Sequence, residues 1–242
     1  MEYRIFGDDM QYADFTLQSG ESVFGEPGAM MCKDAGVRME AILGTGKQGF
    51  FKKLFGAGKR VLTGENMFLT GFENVTAVPQ HVAFSAPFPG KVAPLDLTRL
   101  GGEIVCQKDS FLCAAGEIDI GVYFQKKVLT ALFGGAGFVM QRLHGGGVVF
   151  VNAGGTVKEI DLRPMQKIQA DAGCLVGFQP SVGFEIVGAG NLKTQILGGE
   201  GLFLANLTGP GKVWLQSLPF SRLAARFLRT PAFQKRIQGA RA

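Results

Sequence analysis

The chain has 242 residues, with 25 Lys and Arg against 20 Asp and Glu, 36 glycines, 21 phenylalanines, one tryptophan and four cysteines. A chain this long buries most of its unfolded surface and needs no disulfide or metal staple, and no stretch approaches the roughly 20 apolar residues that cross a bilayer. Met1 to Arg4, followed by Asp8 and Asp9, lacks the apolar core of a secretory signal, so the expected location is cytoplasmic.

Short β-rich segments punctuated by Gly, Pro, Asn or Asp run through the chain. In order they are Ser22 to Phe24, Val37 to Leu43, Val61 to Leu69, Val75 to Phe84, Val139 to Leu143, Val148 to Asn152, Thr156 to Ile160, Phe184 to Val187, Leu202 to Leu207 and Val213 to Leu218. Short amphipathic helices are expected at Phe50 to Phe55 and Gln125 to Phe133. A longer one starts near Phe220, where Phe220, Leu223, Ala224, Phe227 and Leu228 recur at helical spacing. Ser221 is its expected N-cap, and Pro231 its stop.

The strands fall into a pattern that occurs three times. Val23 to Met31, Ile104 to Leu112 and Ile168 to Val176 each read as an apolar pair, a polar turn and an apolar run, with Met30, Phe111 and Cys174 in register. Asn66 to Leu69, Val148 to Val151 and Lys212 to Leu215 form a second marker, after Gly64, Gly145 and Gly209. The Gly-rich turns Phe55 to Gly58, Phe133 to Gly137 and Leu197 to Gly201 form a third. Internal self-similarity of this kind signals stacked units that cannot bury an apolar face alone. The fold class read from it is all-β, as a sandwich, jelly roll or small barrel. Residues 1–219 form one body of three repeats, about 1–87, 88–163 and 164–219, packed with pseudo-threefold symmetry. Residues 220–242 form a basic amphipathic helix and tail.

Three stretches carry a resemblance to a known family. They are Pro94 to Leu97 with Gly101 to Cys113, Phe133 to Leu143, and Thr208 to Phe220. The chain resembles the bacterial branch of a family related to a yeast protein named for altered inheritance of mitochondria, and the resemblance spans nearly all of it. That family is grouped in the TRAP-like superfamily, with the tryptophan RNA-binding attenuation protein. The resemblance implies β-sandwich or double-stranded β-helix units repeated along one chain. It supplies no catalytic residue and no cofactor. A mitochondrial member is linked to inner-membrane organisation, but nothing here matches a transit peptide.

No chemical site is expected. His81 and His144, the only histidines, read as surface or hydrogen-bonded residues in preference to a two-histidine cupin metal site, and they leave a Ser-His-Asp triad little to draw on. Gly44 to Gly49 matches G-x-G-x-x-G without the βαβ context that a dinucleotide needs. Glu117 and Asp119 share one strand face and read as solvated carboxylates. Cys32, Cys106, Cys113 and Cys174 sit in apolar runs and read as small buried hydrophobes. RNA binding is not expected, since Arg60 and Arg142 have no basic counterpart near Asn206 in the third repeat.

Charge is what remains. From Gly201 onward there is no Asp or Glu, while Lys212, Arg222, Arg226, Arg229, Lys235, Arg236 and Arg241 lie there, so the rest of the chain is slightly acidic. Lys52 and Lys53, with Lys47, Lys59, Arg60 and nearby phenylalanines, form a second acid-free stretch. The functional expectation is therefore a non-enzymatic, homo-oligomeric scaffold, with a trimer permitted by the repeat number. Arg222, Arg226, Arg229, Lys235, Arg236, Lys52 and Lys53 would face an anionic membrane surface or a protein partner. The competing expectations are a helix face packed on the body or on the next subunit, a small-molecule-binding β module, and, behind these, an RNA-binding ring. The mean hydropathy of +0.17 fits apolar surface buried between subunits as well as a large single core.

Overall fold

A computed structural model describes residues 1–43, 68–126, 137–188, 203–228 and 230. The expectations placed on the Gly44 to Gly49 loop, Phe50 to Phe55, residues 127–133, Lys52, Lys53, Arg229, Lys235, Arg236 and most of the third Gly-rich marker lie outside those residues. The described chain is mostly strand. The first stretch holds β1 (Glu2–Phe6), β2 (Tyr12–Leu17), β3 (Ser22–Gly25), β4 (Met30–Lys33), β5 (Val37–Leu43), β6 (Phe68–Asn74) and β7 (Gln80–Ser85). The second holds β8 (Gly90–Asp96), β9 (Glu103–Gln107), β10 (Phe111–Lys126) and β11 (Phe138–Gly154). The third holds β12 (Val157–Leu162), β13 (Lys167–Asp171), β14 (Leu175–Phe178), β15 (Gly183–Gly188), β16 (Phe203–Thr208), β17 (Gly211–Gln216) and the single described α-helix, α1 (Phe220–Leu228).

These strands make three open sheets. One is four-stranded, in the order β1-β2-β7-β4, and one is three-stranded, β13-β16-β15. The ten-stranded sheet runs β12-β17-β14-β9-β11-β10-β3-β6-β5, with β8 on β11. Every pairing is antiparallel. Alternation decides which face is inside. In β2, Ala13, Phe15 and Leu17 are fully buried and the residues between them point outward.

The core has three clusters. Phe15, Phe72, Phe84 and Phe150 meet edge to face in the first, with Phe15 4.8 Å from Phe150 and Phe72 5.1 Å from Phe84 between ring centroids. Leu97, Ile104, Leu143, Val149 and Trp214 fill the second. Phe138, Leu175, Phe178, Val182 and Leu207 fill the third, with Phe184 stacked 5.0 Å from Phe178. Trp214 is buried, and its Nε1–H donates to Glu159 at 2.9 Å, while Lys212 Nζ donates to the same carboxylate.

Several expectations change. Val139 to Leu143 and Val148 to Asn152 are one strand, β11, which passes through Gly145, Gly146 and Gly147 without a turn. The glycines are there for close approach. A Cβ on Gly145 or Gly147 would meet Glu117 O at 2.0 Å or Ala115 O at 2.1 Å on β10. Gln125 and Lys126, expected to open a helix, are the last residues of β10. Val75 to Pro79 is a turn held by Asn74, whose Nδ2 donates to Val78 O and whose Oδ1 accepts from Thr76 N, so only the end of Val75 to Phe84 is strand. Cys106 and Cys113 are buried, but Cys32 is exposed and Cys174 is half-buried, and all four are free thiols. The second marker also shifts. Val148 to Val151 and Lys212 to Leu215 lie against β10 and β14, whereas Phe68 and Leu69 begin β6 and pair with β5.

Gly20, Gly101 and Met165 have φ of 77°, 89° and 64°, and Met165 is the one non-glycine with positive φ among the described residues. Nothing would touch a Cβ at Gly101. G101A should therefore cost about 1–2 kcal/mol from backbone strain alone, and M165G should cost nothing or stabilise slightly, both read from denaturant midpoints. Glu159 supplies a second check. Hydrogen bonds from Lys212 and then Trp214 hold its carboxyl below the usual carboxylate range. Its contribution is present above the unfolded pKa and is lost as pH falls through the lowered folded one. Wild type should lose stability against E159Q on acidification below about pH 4.5, read by fluorescence of the single tryptophan.

Candidate functional site

The C-terminal helix is the one described segment that combines the expected basic residues with an apolar face. Its entry is fixed by β17. Gln216, buried at the end of that strand, accepts from Gly154 N at 2.8 Å and donates to Gly173 O at 2.8 Å. Leu218 N then donates to Gly154 O at 3.0 Å, and a Cβ on Gly154 would meet Leu218 O at 1.9 Å. Pro219 is buried and its carbonyl accepts from Arg222 N at 3.0 Å and Leu223 N at 3.3 Å. Helix α1 therefore begins two residues earlier than a Ser221 cap implies, and Ser221 lies in its first turn instead of capping it. Pro at the boundary explains the shift: its fixed φ suits a helix entry, and it has no N–H to satisfy.

Arg222 holds the helix to the body. Its Nη2 donates to Asp171 Oδ2 at 2.8 Å, and Asp171 Oδ1 accepts from Gly173 N at 2.8 Å, capping the 3-10 turn Ala172–Cys174. Phe220 meets Phe88 at 5.9 Å between centroids. Burial pushes the Cys174 thiol upward, with Arg222 opposing. In the middle of α1, Leu223, Ala224 and Ala225 are half-buried, and its far end is exposed. No residue in it is buried, and Phe220, Phe227 and Leu228 are 57%, 61% and 50% exposed. Arg226 is exposed on the same helix. Of the seven expected contact residues, the structure thus places Arg222 in an ion pair with Asp171 and Arg226 at the surface. Lys52, Lys53, Arg229, Lys235 and Arg236 lie outside the described residues.

The other candidates are dispersed. His81 Nδ1 lies 3.1 Å from Asp14 at the surface of the first sheet, and His144 is exposed on β11. Glu117 and Asp119 lie opposite Gly146 and His144 on the β10–β11 ladder. Arg142 pairs with Glu103 at 2.9 Å and lies 5.3 Å over the Tyr123 ring, and Asn206 accepts from Gln169 Nε2 at 2.9 Å. Among the described residues no group of three or more His, Cys, Asp or Glu could hold a metal ion. No described helix is long and apolar enough to cross a membrane. Sequence reading missed Asp171, which lies 51 residues from its partner Arg222 and carries no local signal.

A family model described as mitochondrial biogenesis AIM24 matches residues 3–218. A protein of Streptococcus pyogenes serotype M6, itself uncharacterised, is 27% identical over 219 residues, which is 89% of this chain and 85% of that one. A crystal structure of a Streptococcus pyogenes protein superposes with a TM-score of 0.74 at 21% identity, covering 94% of this chain and 98% of that one. That likeness is one of fold.

Removing the anchor tests the helix geometry. D171A deletes the ion pair and the 3-10 cap together, a loss of about 1 kcal/mol. Trypsin cleavage at Arg222 and Arg226 should become about five-fold faster, with no change in the far-ultraviolet spectrum of the sheets.

Proposed function

The chain belongs to the mitochondrial biogenesis AIM24 family, and we propose that it is a non-enzymatic, homo-oligomeric scaffold of three repeated TRAP-like β units whose C-terminal helix and tail contact an anionic membrane surface. The observation that carries the surface contact is the exposed apolar end of α1, Phe227 and Leu228, on a helix held to the body by Arg222 and carrying Arg226. An amphipathic helix with basic residues beside its apolar stripe binds an anionic interface reversibly. A nine-residue helix cannot do more, and the basic residues that follow Leu228 in the sequence supply the second attraction.

Strand connectivity supports the repeat reading. In the first repeat β2 pairs β7 and β7 pairs β4, while β3 pairs β6 and β6 pairs β5. In the third, which on this pairing begins at β12 and not at Pro164, β12 pairs β17 and β17 pairs β14, while β13 pairs β16 and β16 pairs β15. The second repeat has the same six positions with strands fused. Residues 148–154 of β11 pair with β8 and with the start of β10, and residues 138–147 pair with β9 and with the rest of β10. A bulge follows Met30, Phe111 and Leu175 alike, so the counterpart of Phe111 is Leu175 and not Cys174. The positive-φ residues Gly20, Gly101 and Met165 precede β3, β9 and β13, which hold the same position in each unit. Backbone hydrogen bonds from Asn74, Gly145 and Gly209 to Glu21, Gly102 and Gln166 repeat at the same places. The counterpart of Gly145 and Gly209 is thus Asn74 and not Gly64.

Co-sedimentation with vesicles rich in phosphatidylserine, for the full chain and for a version ending at Pro219, tests the membrane contact. Only the full chain should pellet, and raised salt should release it. Equal pelleting of both, or of neither, removes the helix and tail as the contact.

A further inference from the structure

Two internal joins hold the three repeats together, and both have one design. The start of β10 pairs with β3, placing Cys113 opposite Gly25 and Ala114 opposite Phe24. Then β14 pairs with β9, placing Gly177 opposite Cys106 and Phe178 opposite Val105. In each, the bulged strand of a later repeat pairs with the strand that precedes the bulged strand of the earlier one. Cys113 corresponds to Gly177 and Gly25 to Cys106, so the two joins share one register. Each sets a cysteine against a glycine.

Two strands of this kind have no neighbour on that side. Among the described residues, β4, the bulged strand of the first repeat, pairs only with β7, and β13, the strand before the bulged strand of the last repeat, pairs only with β16. Exposure marks the difference. Leu112 and Val176, the residues skipped by the bulges of β10 and β14, are 1% and 0% exposed, while their counterpart Met31 on β4 is 48% exposed. Cys32, the counterpart of buried Cys113, is exposed as well.

We propose that β4 of one chain pairs antiparallel with β13 of a second copy, in the register that sets Cys32 opposite Ala170 and Lys33 opposite Gln169. The inference rests on the repeat and homo-oligomer readings above and names the surfaces that the oligomer uses. The occupant is a second copy because the two free edges are counterparts of edges already joined within the chain. Cys32 against Ala170 repeats the pairing of a thiol with a small residue. Lys33 against Gln169 puts polar side chains where the internal joins have Ala114 with Phe24 and Phe178 with Val105, as suits edges exposed before assembly. The contact is head to tail, so successive copies close into a ring or continue as a filament.

Residues directly opposed in an antiparallel pair have Cα atoms about 4.5–5.5 Å apart, within reach of a disulfide. The full-length A170C/C174S protein, oxidised under native conditions, should form covalent species of two and more chains through native Cys32, and C32S/A170C/C174S should form none. The counterpart of Ala170 on β9 is already a cysteine, Cys106, so the substitution suits the site. M31D, at a position exposed in the single chain, should dissociate the wild-type assembly in analytical ultracentrifugation while leaving the circular dichroism unchanged. A wild-type protein that sediments as a monomer would overturn both the oligomer reading and this pairing. An oligomer that neither cross-links through Cys32 nor dissociates on M31D would overturn the pairing alone and leave the homo-oligomer standing.

Discussion

The pairings of the bulged strands β10 and β14 with β3 and β9 are the contacts on which the rest of the β body depends. A bulge sets two residues of one strand against one of its partner and increases the local twist. Here it also marks the residue that crosses from one stretch of strands to the stretch before it. Leu112 belongs by sequence to the second stretch of strands, yet it packs with Phe15, Phe72 and Phe84 of the first. Val176 belongs to the third and packs with Leu97, Ile104 and Leu143 of the second. Phe150 and Trp214 cross in the same direction. No stretch of strands therefore completes its core from its own residues. The ten-stranded sheet is the backbone expression of that dependence, since it runs through all three stretches without a break in pairing.

Much of this was legible because the features that build a join are local. A polar turn between an apolar pair and an apolar run is visible within nine residues, and its recurrence at Met30, Phe111 and Cys174 located each bulge to within about two residues. Features set by what lies across the sheet were not legible. Gly145, Gly146 and Gly147 look like a turn when read alone, and only the β10 carbonyls opposite them explain the glycines as close approach. The shifted second marker has the same cause. Val148 to Val151 and Lys212 to Leu215 match because both face a bulged strand, but in the first stretch that position is taken by Ala83 and Phe84 of β7. The cysteines divide by neighbours and not by sequence, since all four lie in apolar runs and only Cys106 and Cys113 are covered.

The candidate site was half legible. Helical periodicity from Phe220 and the lack of acids beyond Gly201 are properties of the sequence and identified α1 directly. Its anchoring was not, because Asp171 is brought to Arg222 by the β13–β16 and β14–β17 pairings, and neither strand signals this locally. The consequence for charge is concrete. One of the seven basic residues beyond Gly201, Arg222, is neutralised by a body carboxylate, and Lys212 is neutralised by Glu159 with Asp161 nearby. The basic surplus of this region therefore resides in Arg226, Arg229, Lys235, Arg236 and Arg241, all at or beyond the last turns of the helix.

That distribution orients the helix. The ion pair to Asp171 and the Phe220–Phe88 contact both act on its first turn, while Phe227 and Leu228 at its far end are uncovered. A helix held at its N-terminal turn, with exposed apolar side chains and Arg226 toward the other end, presents charge and apolar area together. Arg226, in the last turn, is also placed favourably against the negative end of the helix dipole. Burying Phe227 and Leu228 in a partner surface recovers about 25 cal/mol per Å² of apolar area, and pairing the cations adds only a screened attraction. Apolar burial at the end of α1 thus supplies most of the free energy of any contact, and the charge decides which surfaces it approaches.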